Sequence, residues 1–282
     1  MTLISNTEKG AVSIKPHGFL IPIKPKALTQ LQRLMKDSES IIADFAKVIA
    51  KDVSLSAAVL KTVNSAFFAL ETQITDIQHA VCFIGKDIIN ALATAIMFKQ
   101  SFVDAPSCLS LERYWDDSKD IAYSMTFINK ELQSKLPDGL LYTIGLFHDC
   151  GIPAFSNKFN DYKEVLIKAN QVGGNSIALE ESEYGMNHAV IGYLIARSWS
   201  LPEQVSNIIL HHHDLNFLTT STNKEEQLAY ATLKLAENLV YRNKRHCESP
   251  DWQHIKEEVL ATLGINIDKY IELDKYYSDL VL

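Results

Sequence analysis

Apolar positions along most of the chain recur at helical spacing rather than at strand spacing. In residues 41–49, apolar side chains at 41, 42, 45, 48 and 49 form one stripe of a helix. Alternating apolar and polar segments, which are typical of half-buried strands, are almost absent. Further predicted helices cover residues 54–70, 75–85, 86–102, 111–134, 139–149, 200–214 and 227–241, with one or two more in 250–282. The pattern predicts an all-α fold.

Polar residues and glycine predict where these helices begin and end. Gly85 follows one helical stretch and is typical of a helix stop. Side-chain oxygens of Ser, Asn and Asp accept hydrogen bonds from free amides at a helix start. The candidate N-caps are Ser38, Ser54, Asp138, Asn187 and, with Glu203 in capping-box spacing, Ser200.

Breaks in the helical pattern predict the domain organisation. Residues 1–27 contain three prolines and are predicted to be an irregular lead-in. The stretch 103–110, "VDAPSCLS", is the best linker candidate, so we predict two helical lobes over 28–105 and 106–245. Residues 246–282 are predicted to be a C-terminal helical tail whose apolar side chains pack on the core.

Composition narrows the class of protein. The 282 residues carry a net charge of −7, which disfavours nonspecific binding to nucleic acid or to an anionic membrane. The four cysteines form no C-x-x-C pair, which favours a reducing compartment over a disulfide scaffold. The N-terminus lacks the features of a secretory signal, and no apolar run approaches the ~18 residues of a membrane span. We therefore expect a cytoplasmic protein.

The histidines are the candidate chemistry of the sequence. His148 and Asp149 are adjacent, His188 follows later, and His211, His212 and His213 form a run. Imidazole and carboxylate suit zinc, manganese or iron, and helical bundles often build such sites from several helices. One or two ions held in this way would activate water against a phosphoester.

Structural explanations compete with this hypothesis. A single His–Asp pair often occurs by chance. His188 follows a natural N-cap, and cationic imidazole at 211–213 would favour a helix C-terminus without any metal. Adjacent helical residues point about 100° apart, so at most two of those three histidines can face one site. Phosphate-binding loops, nucleophile elbows and dinucleotide fingerprints are absent from the sequence.

Five segments together resemble one family in order and spacing. Residues 49–68, 74–85, 114–122, 145–151 and 183–214 resemble motifs of HDOD domains, the HD-related output domains of bacterial signalling proteins. The clearest are "GLFHDCG", similar to G-L-L-H-D-I-G, and "YWDDSKDIA", similar to W-x-H-S-x-x-V-A. The resemblance covers about residues 28–245 and implies an N-terminal helical lobe packed on an HD-like bundle.

The resemblance also implies a ligand set, because HDOD domains are similar in fold to HD and HD-GYP metal-dependent phosphohydrolases. Asp149 would be a metal ligand that also bridges two ions and positions the attacking water, which makes it the candidate catalytic residue. The implied cofactor is a divalent transition metal (Mn, Fe, Zn or Ni). The implied metal ligands are Asp117, His148, Asp149, His188, His211, His212 and Glu237.

Three positions depart from the catalytic pattern. Asp117 stands where the first histidine is expected, and Glu237 stands where the final aspartate is expected. Both remain oxygen ligands, but they are harder ligands with altered geometry. Ile152 replaces the lysine that follows H-D-x-G in the HD-GYP phosphodiesterases, which removes a cation that would stabilise phosphate charge. Hydrolysis of cyclic di-GMP is therefore disfavoured.

The sequence leaves two functions open. The first is a non-catalytic regulatory or scaffold module with a degenerate metal site, which docks regulatory or signalling proteins. The second is a metal-dependent phosphohydrolase acting on a nucleotide or phosphodiester. A metal held without turnover is a third state.

Overall fold

The computed structural model describes residues 18–19, 21–65, 68, 70, 72–103, 105–171 and 176–281. These residues form helices and connecting turns without a strand, which confirms the predicted all-α class. Internal contacts divide them into two units. The first holds residues 22–105, and the second holds 106–281 with 18, 19 and 21. The domain limits inferred from the sequence stay a prediction, and residues 1–17 of the lead-in lie outside the described residues.

The first unit contains five helices around its own apolar core. The helix Lys86–Gln100 packs on Lys26–Lys36 and Val53–Val63, while Ile42–Ala50 packs on Ile77–Ile84. Phe45, Val59 and Phe98 are fully buried in this core. The helices are α1 Lys26–Lys36, α2 Ile42–Ala50, α3 Val53–Val63, α4 Ile77–Ile84 and α5 Lys86–Gln100.

Helix α3 ends earlier than predicted because Asn64 redirects the chain. The Asn64 amide donates to the carbonyls of Leu60 at 2.8 Å and of Ile74 at 2.7 Å. Its carbonyl oxygen accepts from the Ile74 amide at 2.8 Å. The Asn64 side chain thus forms hydrogen bonds with a carbonyl in the last turn of α3 and with both backbone groups of Ile74, which precedes α4. Gly85, in contrast, ends α4 as predicted, with φ at +84°.

The predicted N-caps Ser38 and Ser54 are wrong. Helix α2 begins after Ile41, whose amide donates to Asp44 Oδ2 at 3.2 Å. Helix α3 begins after Asp52, whose Oδ1 accepts from the Leu55 amide at 2.9 Å. A carboxylate two residues upstream therefore caps α3 in place of the predicted hydroxyl.

Two further caps also differ from the prediction. Asp138 lies inside the first turn of its helix, with Pro137 at the N-cap, and its carboxylate accepts from Asn129 at 2.6 Å. Pro202, and not Ser200, is the N-cap of the next predicted helix. Ser200 adopts a left-handed conformation with φ at +56°, which differs from the extended conformation of an N-cap residue. Asn187 caps its helix as predicted, accepting from the Val190 amide at 2.9 Å.

The second unit has the helix Leu111–Glu131 packed on both Asp138–Phe147 and Lys224–Arg245. Its helices are α6 Leu111–Glu131, α7 Asp138–Phe147, α8 Ile152–Lys158, α9 Tyr162–Gln171, α10 Ser176–Tyr184, α11 His188–Ser198, α12 Glu203–His211, α13 Phe217–Thr220, α14 Lys224–Arg245, α15 Trp252–Leu263 and α16 Ile267–Val281.

A glycine sets the distance between α6 and α7. A Cβ atom placed on Gly145 would lie 2.4 Å from the Cα atom of Ala122, closer than real contacts allow. The backbones therefore touch here, one turn before the His148–Asp149 pair at the end of α7.

Residues of the predicted tail pack on the second unit. Tyr270, Leu273 and Tyr277 of α16 are buried, and the Tyr270 hydroxyl accepts from Asn238 of α14 at 2.9 Å. In the described residues, no single helix is long and apolar enough to cross a membrane. Helices α4 and α5 pass that test of length and composition only as a pair, bent by 119°.

Substitutions at 52 and 54 test which residue caps α3. Asp52→Ala should lower the free energy of unfolding by about 1 kcal/mol because the Leu55 amide loses its acceptor. Ser54→Ala, the matched control, should change it by less than about 0.5 kcal/mol. Urea unfolding of both variants measures the difference, and equal effects at the two positions would contradict the assignment.

Candidate metal centre

His148 and Asp149 leave the C-terminal end of α7. The His148 ring is 3% exposed, and its Nδ1 lies 2.8 Å from the Gly145 carbonyl oxygen. A carbonyl oxygen can only accept, so Nδ1 carries the proton and Nε2 faces the neighbouring carboxylate. The distance from His148 Nε2 to Asp149 Oδ2 is 3.3 Å.

Gly151 brings this turn against the start of α11. A Cβ atom there would lie 2.0 Å from the His188 carbonyl oxygen, which leaves no room for any side chain. The two glycines of "GLFHDCG" therefore hold the His148–Asp149 turn against α6 on one side and α11 on the other.

His188 is the first residue of α11, and Glu180 of α10 fixes its orientation. The Glu180 carboxylate accepts from the His188 amide at 2.7 Å and lies 2.8 Å from His188 Nδ1. It also accepts from the Tyr162 hydroxyl at 2.7 Å. Both His188 and Glu180 are almost completely buried. The remaining ring nitrogen, Nε2, points to Asp149.

His212 follows directly after the end of α12. Its ring is fully buried, and Nδ1 lies 2.7 Å from the Ile209 carbonyl oxygen. Nε2 is therefore the nitrogen that faces the other candidate ligands. It lies 3.0 Å from Asp149 Oδ1 and 3.4 Å from His188 Nε2.

Four potential ligands of this region form one tight group. Single donor atoms of Asp149, His188, His212 and His213 all lie within 4.8 Å of one another. His148 adds an Nε2 atom beside the second oxygen of Asp149. Ligands of a tetrahedral ion with bonds of about 2.0–2.1 Å lie about 3.3–3.4 Å apart, and octahedral neighbours lie about 3.0 Å apart. The separations of 3.0–3.4 Å among Asp149, His188 and His212 match this range.

Local charges shift the pKa values of these groups in opposite directions. Burial opposes protonation of His188, but the Glu180 and Asp149 carboxylates overcome it and raise the His188 pKa to about 10. Burial also opposes protonation of His148, whose pKa is nevertheless raised by Asp149. Burial lowers the pKa of His212, so its imidazole is neutral near pH 7. Burial works against ionisation of Asp149, but the surrounding histidines hold its pKa well below the usual range.

The His212–Asp149 contact tests whether a metal ion fits. The Ile209 carbonyl holds the only proton of the neutral His212 ring, so a nitrogen lone pair faces a carboxylate oxygen at 3.0 Å. Burial disfavours a second proton on the His212 ring. The two acceptors repel unless a cation lies beside both: in metal-free protein this is the His188 imidazolium, whose Nε2 lies 3.3 Å from Asp149 Oδ1 and 3.4 Å from His212 Nε2, and a metal ion would take the place of its proton. A metal ion satisfies both acceptors, and the carbonyl and carboxylate on the outer ring nitrogens are the usual supports of metal-bound histidine.

The structure brings together four of the seven predicted ligands: His148, Asp149, His188 and His212. His211 is placed elsewhere. Its side chain is 45% exposed and lies 4.0 Å from Asp214, because α12 ends at His211 and the following turn directs residues 212 and 213 inward.

Asp117 and Glu237 lie near the group but are engaged by cations. Asp117 accepts from Lys244 at 2.7 Å and from Arg245 at 3.0 Å. Glu237 accepts from Lys234 at 2.9 Å, and its other oxygen lies 3.9 Å from His148 Nε2. Both line a pocket of about 210 Å³ that also exposes Asp149 and contains Ile152.

Sequence reasoning named His213 as a candidate but left it out of the ligand set, and it missed Glu180, Lys234 and Asp251. His213 replaces His211 in the group, and Glu180 orients His188. Lys234 Nζ lies 2.9 Å from Asp251 Oδ2, which in turn lies 3.5 Å from His213 Nδ1. The limit of two inward-facing histidines in 211–213 was a usable signal. The run of acids at 180, 181 and 183 gave no sign of which one is buried.

The chain belongs to the HDOD domain family, whose family model matches residues 21–215. A relative from Treponema pallidum (strain Nichols), of uncharacterised function, is 27% identical over 215 residues, which is 75% of this chain. The chain spans only 41% of that relative's length.

Solved structures share the fold. A proposed phosphohydrolase from Shewanella amazonensis SB2B has a TM-score of 0.70 at 19% identity, covering 91% of this chain and 90% of its own. A proposed signal transduction protein from Marinobacter aquaeolei VT8 also has a TM-score of 0.70, at 20% identity, covering 93% of this chain and 57% of its own. At these identities the likeness establishes the fold alone.

The Glu180–His188 pair predicts an unusual titration. In chelator-treated protein, His188 should keep its second proton through neutral pH and lose it near pH 10, because its pKa is raised. The stability that this pair contributes is therefore complete below the ordinary pKa of about 6.5 and is lost as the pH rises toward 10.

Glu180→Gln should lower the His188 pKa, because it removes the carboxylate that favours the cation. Side-chain NMR of the imidazoles measures the titration. Glu183→Gln, an exposed position on the same helix, is the matched control and should leave it unchanged. An unaltered titration in Glu180→Gln would show that another group protonates His188.

Proposed function

We propose that the chain is a signal-transduction module whose His–Asp cluster holds one divalent transition metal ion without hydrolysing a phosphoester. The ligands are His148, Asp149, His188 and His212. The observation that carries this proposal is the His212 lone pair that faces Asp149 at 3.0 Å. Membership of the HDOD family supports the signalling role. The partners are regulatory or signalling proteins.

Two features of the pocket argue against turnover. Its lining contains four carboxylates, from Asp117, Asp149, Glu237 and Asp251, but only one arginine. That arginine, Arg245, is already paired with Asp117 at 3.0 Å. Apart from the bound ion, phosphate charge entering this pocket would meet like charge, and the described residues of its lining hold no unpaired lysine or arginine. The neutral Ile152 adds none.

A bound ion would neutralise Asp149 and supply Lewis-acid polarisation to a ligand water. The chain's own residues perform the other tasks. Glu180 fixes the His188 ring, the carbonyls of Gly145 and Ile209 fix the rings of His148 and His212, and the buried rings exclude bulk water from their side of Asp149. Such an arrangement stabilises the turn after α7 and the start of α11 together.

Neighbouring histidines test this assignment. Protein purified from Mn²⁺- or Zn²⁺-supplemented medium should contain about one equivalent of metal, since Asp149, His188 and His212 place donors 3.0–3.4 Å apart and His148 adjoins Asp149. His212→Ala should lose most of it. His211→Ala removes the adjacent imidazole, which faces Asp214, and should retain it. Elemental analysis after gel filtration gives both numbers. Absence of metal from the wild type, or equal losses in the two variants, would overturn the proposal.

A metal-dependent phosphohydrolase is the second candidate function. The pocket of about 210 Å³ opens onto Asp149, whose side chain is 27% exposed, so water and a small phosphoester have access. The structural neighbour proposed to be a phosphohydrolase has the same fold.

Hydrolysis assays separate the two functions. With metal content verified, the wild type should release no more phosphate or nitrophenol than Asp149→Asn does. The substrates are mononucleotides and bis(p-nitrophenyl) phosphate with Mn²⁺ present. Glu183→Gln serves as the surface control for purification artefacts. Turnover that is abolished by Asp149→Asn and retained by the control would establish the second candidate.

A further inference from the structure

Lys234 is a buried cation beside the proposed metal centre. It lies on α14 and is 1% exposed. Its Nζ lies 2.9 Å from Glu237 Oε2 and 2.9 Å from Asp251 Oδ2. An ammonium group removed from water is costly unless carboxylates surround it, and two do so here. The side chain is therefore held in one defined place.

The groups around this ammonium are themselves potential metal ligands. Asp251 Oδ2 also lies 3.5 Å from His213 Nδ1, and Glu237 Oε1 lies 3.9 Å from His148 Nε2. His213 belongs to the tight group that includes Asp149. Two carboxylates thus adjoin the Lys234 ammonium, and one imidazole of the cluster adjoins the Asp251 carboxylate.

This donor set would suit a cation other than ammonium. Imidazole with two carboxylates is a ligand combination typical of zinc, manganese and iron. Carboxylates at 2.9 Å from an ammonium nitrogen need to move less than about 1 Å to reach metal–oxygen distances of about 2.0–2.2 Å. The positive charge of Lys234 repels any metal ion that approaches the same position.

We propose that Lys234 is a built-in cation that occupies a second metal position and limits the centre to one ion. Without its charge, His213, Glu237 and Asp251 form a second site for a divalent transition metal. This inference rests on the proposed function, in which the first ion is bound by His148, Asp149, His188 and His212.

Metal stoichiometry of Lys234→Met tests the inference. The variant should bind about two equivalents of Mn²⁺ or Zn²⁺ where the wild type binds about one, because the second donor set is freed. Lys244→Met is the matched control, since it removes a paired lysine from the same helix at Asp117. It should remain at about one equivalent. Lys234→Met/Asp251→Asn should return to about one, because the new site loses a ligand.

Metal rescue of stability gives a second readout. In chelator, Lys234→Met should unfold at a lower temperature than the wild type, because two carboxylates lose their cation. Added metal should raise its midpoint by more than that of the wild type. Lys234→Arg keeps the charge and should show neither the extra equivalent nor the extra rescue.

The outcomes separate this inference from the proposed function. One equivalent in both the wild type and Lys234→Met overturns the inference and leaves the function standing. No metal in the wild type overturns both. An extra equivalent in Lys244→Met also overturns the inference, because the gain would then be nonspecific. Lys234→Gln is measured beside Lys234→Met, and failure of both to fold even with metal counts against the proposal.

Discussion

The direction of three imidazole rings is the constraint on which the site depends. Each ring commits Nδ1 to the protein: His148 to a carbonyl one turn back, His212 to a carbonyl at the end of α12, and His188 to the Glu180 carboxylate. Nε2 of every ring then converges on the carboxylate of Asp149. Because two of these three anchors are backbone atoms at helix ends, only the His188 ring depends on another side chain for its direction.

Ion pairs account for the remaining charges of the pocket. Asp117 is neutralised by Lys244 and Arg245, and Glu237 by Lys234. The two acids that differ from the catalytic HD pattern both pair with lysine or arginine, and Asp251 shares the lysine of Glu237. Substitution of the first histidine by aspartate changes more than a ligand type, since it provides a partner for two basic residues of α14. The acids at 117 and 237 thus both depart from the sequence pattern and balance the charge of these lysine and arginine side chains.

Much of this was accessible from the sequence, and the failures have local causes. Apolar stripes at helical spacing predicted the fold because each helix buries one face, as Phe45 shows in α2. The His148–Asp149 pair and His188 were found through short motifs at fixed spacing. The ligand set contained His211 where the group contains His213. His211 is the last residue of α12, and the turn that follows it brings His212 and His213 to the group. Glu180 was missed because its role requires a contact eight residues away, where no periodic pattern identifies a partner.

The close approaches at Gly145 and Gly151 have a consequence for how the sequence can diverge. At both points the spacing of the backbone is set by the absence of a Cβ atom and not by the fit of neighbouring side chains. Apolar residues elsewhere in the bundle are thus free to exchange for others of similar volume without shifting the histidine-bearing turns. Substitutions can therefore accumulate in the interior, while the geometry of the centre requires that Gly145 and Gly151 remain glycine.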